Sequence, residues 1–71
     1  MSFILSAHAE KRLLGRGITR SDIEYCIANH HIILEEVGGV HLYIANHPNG
    51  KNIQVIEDTK TNQIISVMWL Q

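Results

Sequence analysis

The spacing of apolar residues changes once along the chain, from a helical period in the first 29 residues to strand-like segments afterwards. In the helical part, Ser6 is a suitable N-cap for a helix over about residues 7–14. Gly15 is a natural residue to end it, because glycine readily adopts the left-handed conformation found after helices. A first short helix is therefore predicted here.

A second helix is indicated by a stronger local signal. With Thr19 as N-cap, Asp22 falls at the third helical position, where its carboxylate can complete a variant of the capping box. Ile18 before the cap and Ile23 after it are spaced as a hydrophobic staple. We expect this helix to run to about Asn29. Its predicted buried face holds Ile23, Cys26 and Ile27.

The rest of the chain divides into four segments with strand composition or alternation. These segments are residues 31–36, 40–45, 52–57 and 63–70. The last one is apolar on both faces, which predicts a central or helix-covered strand. The expected fold is α+β, a single domain over residues 1–71, with two N-terminal helices packed on an antiparallel sheet of about four strands in the order ααββββ.

Length and composition limit the classes of protein. A chain of 71 residues with one cysteine forms no internal disulfide, and it is near the size below which one core is marginal. No apolar run approaches the roughly 20 residues of a membrane span. The N-terminus lacks the charged and apolar regions of a signal peptide. We therefore expect a cytoplasmic protein with no membrane partner.

The charges are distributed unevenly, although the net charge is only −1. Residues 1–20 hold four basic residues and one acidic residue, whereas residues 21–71 hold two basic and six acidic residues. Such asymmetry is typical of a local site for an anionic ligand. It is equally compatible with two solvated faces of opposite sign.

The most specific chemistry lies at His8 and Arg12. Four residues apart, they share one face of the first predicted helix. A titratable imidazole beside a fixed cation can bind and protonate phosphate groups. A metal site is the less favoured alternative, because Cys26 and His30 are helically spaced but no second ligand pair accompanies them. No cofactor is expected.

A wider pattern resembles a small bacterial family, the domain of unknown function 4258. The segments that carry the resemblance are His8-Ala9, Arg12, Arg16-Gly17-Ile18-Thr19, Asp22-Ile23-Glu24 and Ile64-Ile65-Ser66-Val67. That family is in turn similar to RelE-type and other metal-independent ribonuclease toxins. The resemblance implies His8 as the leading catalytic residue, Arg12 and Arg16 as phosphate partners, and Ser66 as a hydroxyl that positions the phosphate.

The implied function is a toxin-type endoribonuclease that uses the RNA 2′-OH as nucleophile, with RNA and an antitoxin protein as partners. A second acid–base residue is needed, and His41, Tyr43 and Glu57 are the candidates, with no signal that selects among them. Trp69 and Tyr43 can stack on an unpaired base. The alternative is a non-catalytic module that binds a partner or a second copy of itself. RelE-type interferases are usually strongly basic, so the net charge fits cleavage of free RNA, or a lost activity, better than action on ribosomes.

Overall fold

Two helices and five strands make up the computed structural model, which describes residues 3–70. In chain order the elements are β1 (Ile4–Leu5), α1 (Ala7–Arg16), α2 (Arg20–Asn29), β2 (Ile32–Glu36), β3 (Val40–Asn46), β4 (Asn52–Asp58) and β5 (Gln63–Leu70).

Helix α1 begins where its cap predicts and ends later than expected. The Ser6 side chain accepts a hydrogen bond from the Ala9 N–H (3.0 Å), as an N-cap does. Gly17 adopts the left-handed conformation (φ 63°, ψ 33°), and its N–H closes the helix on the carbonyl of Leu13. The prediction that Gly15 ends the helix is therefore wrong, because the second of two closely spaced glycines supplies the positive φ.

Helix α2 has the predicted boundaries. The Thr19 hydroxyl accepts from the Asp22 N–H (3.2 Å), and the Asp22 carboxylate accepts from the Thr19 N–H (2.8 Å). This reciprocal pair is a complete capping box. Ile18 and Ile23 on either side of the cap are both buried.

The sheet has five strands rather than about four, and it is mixed rather than antiparallel. Its strand order is β1-β5-β4-β3-β2, and only β1 pairs in parallel, with β5. Strands β2 to β5 form the predicted antiparallel meander. A two-residue strand shows no alternation in the sequence, and its pairing is set by the distant β5, so the prediction missed it.

A bulge in β5 changes which of its residues face the helices. Ile56 pairs with Ser66, whereas the next residue, Glu57, pairs with Ile64, so Ile65 is an extra residue. Ile64 and Val67 are three positions apart and would otherwise point to opposite faces, yet both are fully buried.

The helices cover one face of the sheet. Helix α1 packs on β5, and α2 packs on β3 and β4. The core between the layers is formed mainly by aliphatic side chains from both helices and from the inward positions of the three central strands, together with Phe3, Cys26 and Tyr43. Within the described residues, neither helix lies on the opposite face or packs on strand β2, and all five residues of β2 are exposed.

Candidate functional site

Three side chains on α1 form a row along one flank of the helix. His8, Arg12 and Arg16 are each one turn apart, so their side chains follow one another along the axis. His8 and Arg12 are exposed, and Arg16 is half-buried. We call these three residues the basic row.

Contacts with β5 hold the C-terminal end of the basic row in place. The Arg16 Nη1 donates to the Val67 carbonyl oxygen (2.7 Å), which uses one of the guanidinium's five N–H donors. The Trp69 Nε1–H donates to the Arg16 carbonyl oxygen (2.9 Å). The guanidinium and the backbone carbonyl of Arg16 are therefore both hydrogen-bonded to β5, and the Trp69 indole lies beside the Arg16 end of the basic row.

A cation and a histidine surround the indole of Trp69. The Lys51 Nζ lies 6.0 Å from its ring centroid, within the range of a cation–π contact. The His47 ring contacts it edge-on, with centroids 5.1 Å apart. The half-buried Trp69 thus joins the basic row to Lys51 on the loop between β3 and β4.

Two hydrogen bonds fix the orientation of the His47 ring. Its Nε2 lies 2.7 Å from Asp22 Oδ1, and its Nδ1 lies 3.1 Å from the Asn49 N–H, which donates to it. The ring therefore carries its proton on Nε2 and donates it to the carboxylate. These bonds tie the β3–β4 loop to the start of α2, and they occupy both ring nitrogens.

The Asp22 carboxyl has a lowered pKa. Partial burial is the largest influence and acts to raise it, but hydrogen bonds with the Thr19 backbone, the His47 ring and the Thr19 side chain together outweigh that effect. A carboxyl whose pKa is lower in the folded state stabilises the fold above its unfolded pKa. That stabilisation is lost as the pH falls through the folded-state pKa.

We expect Asp22→Ala to lower the free energy of unfolding by about 1 kcal/mol at pH 7, the usual value of a cap interaction. Since protonation removes the same interactions from the wild type, the deficit should shrink below about pH 4, the range in which carboxyl groups titrate. Urea unfolding at pH 7 and pH 3 measures both values. Glu24→Ala, at an exposed acidic residue of the same helix, is the control and should show no comparable deficit. A deficit that is the same at both pH values would contradict this account.

Ser66 lies apart from the basic row. It pairs with Ile56 on the face of the sheet opposite the helices, whereas α1 packs on the face that holds Val67. The structure therefore brings His8, Arg12 and Arg16 onto one surface and leaves Ser66 on another. Its role in positioning a phosphate stays a prediction.

The three candidates for a second acid–base residue form a cluster of their own. The Tyr43 hydroxyl donates to Glu57 Oε1 (2.9 Å), and His41 Nδ1 lies 3.4 Å from the same hydroxyl oxygen. The other ring nitrogen of His41, Nε2, lies 3.3 Å from Oε2 of Glu35, which is exposed. We call Glu35, His41, Tyr43 and Glu57 the tyrosine cluster. Within residues 3–70, no hydrogen bond or ring contact joins it to His8.

Burial dominates the chemistry of the tyrosine cluster. It raises the pKa of Tyr43 to about 12, and the hydrogen bond to Glu57 and the negative charge of that group add to the effect. Glu57 is 7% exposed, an unusual position for a carboxylate without such a partner. The sequence contains one signal for this arrangement: Glu57 follows Ile53 and Val55 at every second position of β4, so a carboxylate stands at an inward position where the preceding residues are apolar.

The residues weighed as metal ligands have other roles. The Cys26 thiol is buried beside the carbonyl oxygens of Tyr43 and Ile53, and burial raises its pKa to about 12. His30 Nδ1 lies 2.8 Å from the Ile27 carbonyl oxygen. In the part of the chain that the structure describes, no three His, Cys, Asp or Glu side chains are arranged to hold a metal ion.

The fold and surface define a small α+β domain with a cationic row beside an indole. The chain belongs to the family described as Domain of unknown function (DUF4258), which it matches over residues 5–70. No curated protein and no solved structure matches it. Among residues 3–70, neither helix has the length and hydropathy needed to cross a bilayer.

Proposed function

We propose that this domain is a metal-independent endoribonuclease that binds RNA along the basic row and Trp69. The observation that supports this most directly is the hydrogen bond between the Trp69 indole and the Arg16 carbonyl (2.9 Å), which places an aromatic ring at the C-terminal end of the basic row. Proteins that bind single-stranded RNA combine a cationic track for the phosphates with rings on which bases stack.

The position of His8 suits a phosphate group. It is the second residue of α1, in the turn where free backbone N–H groups and the helix dipole favour an anion. Arg12 follows one turn later, and its planar guanidinium can bind two phosphate oxygens at once. A phosphodiester held between them would lie within reach of the imidazole.

The reaction needs a proton to leave one oxygen and a proton to reach another. The RNA 2′-oxygen bonds to phosphorus as its proton passes to a base, and the bond from phosphorus to the 5′-oxygen breaks as an acid protonates that oxygen. The products are a 2′,3′-cyclic phosphate and a free 5′-hydroxyl. We assign one of these proton transfers to His8, which can act as base or acid near neutral pH. Arg12 would stabilise the negative charge that grows on the phosphorane oxygens.

The layout of charge over the fold supports this assignment despite the net charge of −1. The basic row lies on α1, which packs on β5 near one edge of the sheet. Glu35 and Glu36 lie on β2 at the other edge. Most of the sheet would therefore separate an RNA strand on the basic row from these two acidic residues. The electrostatic field near the basic row, rather than the net charge of the protein, would govern the approach of the RNA.

The resemblance to RelE-type toxins that the sequence suggests adds an expectation about partners. A toxin of this kind is made with an antitoxin protein, so a short neighbouring gene and growth arrest on expression of the domain alone are both expected. The competing function is a non-catalytic interaction module. Expression of such a module should leave growth unchanged.

Purified protein is expected to cleave total cellular RNA or tRNA in the presence of EDTA and to leave cyclic phosphate ends. Because Trp69 is the only tryptophan in the chain, its fluorescence should report binding, with single-stranded oligonucleotides quenching it more than duplexes. Sequencing of the product ends and a titration with oligonucleotides measure the two effects. Absence of both, with and without added ribosomes, would contradict the ribonuclease proposal and favour the interaction module.

A further inference from the structure

Strand β2 is an edge strand without the usual protection. Every one of its residues is exposed, and Ile32, Ile33 and Leu34 form an uninterrupted apolar run, at 40%, 41% and 51% exposure. Edge strands in soluble monomers are normally short, carry charged residues or proline, or are covered by another element. Strand β2 carries its two charges, Glu35 and Glu36, only at its C-terminal end. Its apolar run contains no charge and no proline, and among residues 3–70 neither helix is packed on it.

The opposite edge of the sheet is protected by contrast. Strand β1 pairs with the first two residues of β5, and further along the Arg16 guanidinium bonds the outward carbonyl of Val67. A short strand and an arginine side chain therefore cover part of the edge at β5, whereas the edge at β2 is uncovered. The edge of β2 is therefore open to pairing with a strand of another molecule.

The charge pattern of the β2 segment selects the partner. The segment begins with His31 and ends with Glu35 and Glu36, and the apolar run lies between these polar ends. In an antiparallel pair of two such segments, the histidine of one copy lies beside the glutamates of the other. An imidazole can donate a hydrogen bond to a carboxylate whether it is neutral or charged. A parallel pair would instead place the glutamates beside each other, which is unfavourable.

We infer that the domain forms a homodimer in which β2 pairs antiparallel with β2 of a second copy, extending the sheet across a twofold axis. Such a contact is isologous, which means that both copies contribute the same surface. The β2 segment must therefore be complementary to itself. The apolar residues Ile32 to Leu34 meet at the axis, and the oppositely charged ends pair on either side. The inference is independent of the proposed ribonuclease activity, because the basic row lies on α1 over the other edge of the sheet.

Sedimentation of the purified protein should give twice the 8.1 kDa mass of the chain. Leu34→Lys places a charge at the axis and should convert the dimer to a folded monomer, as checked by circular dichroism. Leu14→Lys is the matched control, since Leu14 is an exposed leucine on α1 (89%) and its replacement should leave the dimer intact.

A cross-link tests the strand contact even if Leu34→Lys fails to fold. Residues that face each other across antiparallel strands have Cα atoms within the range of a disulfide. Ile33→Cys is therefore expected to form a covalent dimer on oxidation, whereas Leu14→Cys should not. The native Cys26 will not interfere, because it is buried. A wild-type protein that remains monomeric at all concentrations, without an Ile33→Cys cross-link, would overturn the homodimer and leave β2 as an edge for a strand of another protein. A dimer that survives Leu34→Lys would overturn it as well.

Discussion

Replacement of His8 by alanine is expected to reduce RNA cleavage by about 100-fold or more, the usual contribution of a general acid or base. The stability of the fold should barely change, because the His8 side chain is exposed and lies outside the core. Initial rates of cleavage in EDTA, together with urea unfolding of the same preparations, measure the two quantities separately.

Two variants on the same helix serve as comparisons for His8→Ala. Glu10→Ala, an exposed residue outside the basic row, should keep the wild-type rate. Arg12→Ala should weaken RNA binding and lower its dependence on salt concentration, because one phosphate contact is lost. If His8→Ala cleaves as fast as the wild type, His8 is not the catalytic group. The tyrosine cluster, with its half-exposed His41, would then be the next site to test.

Replacement of Ile23 by alanine is expected to lower the free energy of unfolding by about 2–5 kcal/mol, the range for a buried isoleucine. Ile23 is fully buried and follows the capping box of α2, so its loss opens a cavity where the helix meets the sheet. In a domain of this size each kcal/mol corresponds to a fall in Tm of roughly 4–8 °C. Urea and thermal unfolding give the values.

Ile18 and Leu14 provide the comparison for this prediction. Ile18, on the other side of the cap, is also buried, and Ile18→Ala should cost about 1–4 kcal/mol. Leu14→Ala, at an exposed position, should change stability by no more than about 0.5 kcal/mol. Unchanged melting of both isoleucine variants would contradict the hydrophobic staple.

Local signals in the sequence were sufficient for most of the fold. The capping box at Thr19 and Asp22 depends on residues three positions apart, so it is visible without any tertiary information. The meander of β2 to β5 follows from alternation and turn residues. The end of α1 was misplaced because Gly15 and Gly17 both fit a helix terminus, and only the path of the following chain determines which one adopts a positive φ.

The candidate site divides in the same way. The spacing of His8, Arg12 and Arg16 on one helix is a local property, and the sequence predicted that they share a flank. The contact of Arg16 with Trp69 joins residues 53 positions apart, and the Tyr43–Glu57 bond joins two different strands. A periodic pattern predicts which residues share a face of an element, but not which element packs beside it.

The sequence by itself determined the two helices, the four long strands and the cationic flank of α1, because caps, turns and hydrophobic periods act over a few residues. Only the tertiary structure decided the rest: the parallel pairing of β1, the bulge that turns Ile64 and Val67 to one face, the separation of Ser66 from the basic row, and the open edge of β2. Each of these depends on contacts between different elements of the fold, where the free energy of packing, rather than local conformational preference, selects the arrangement.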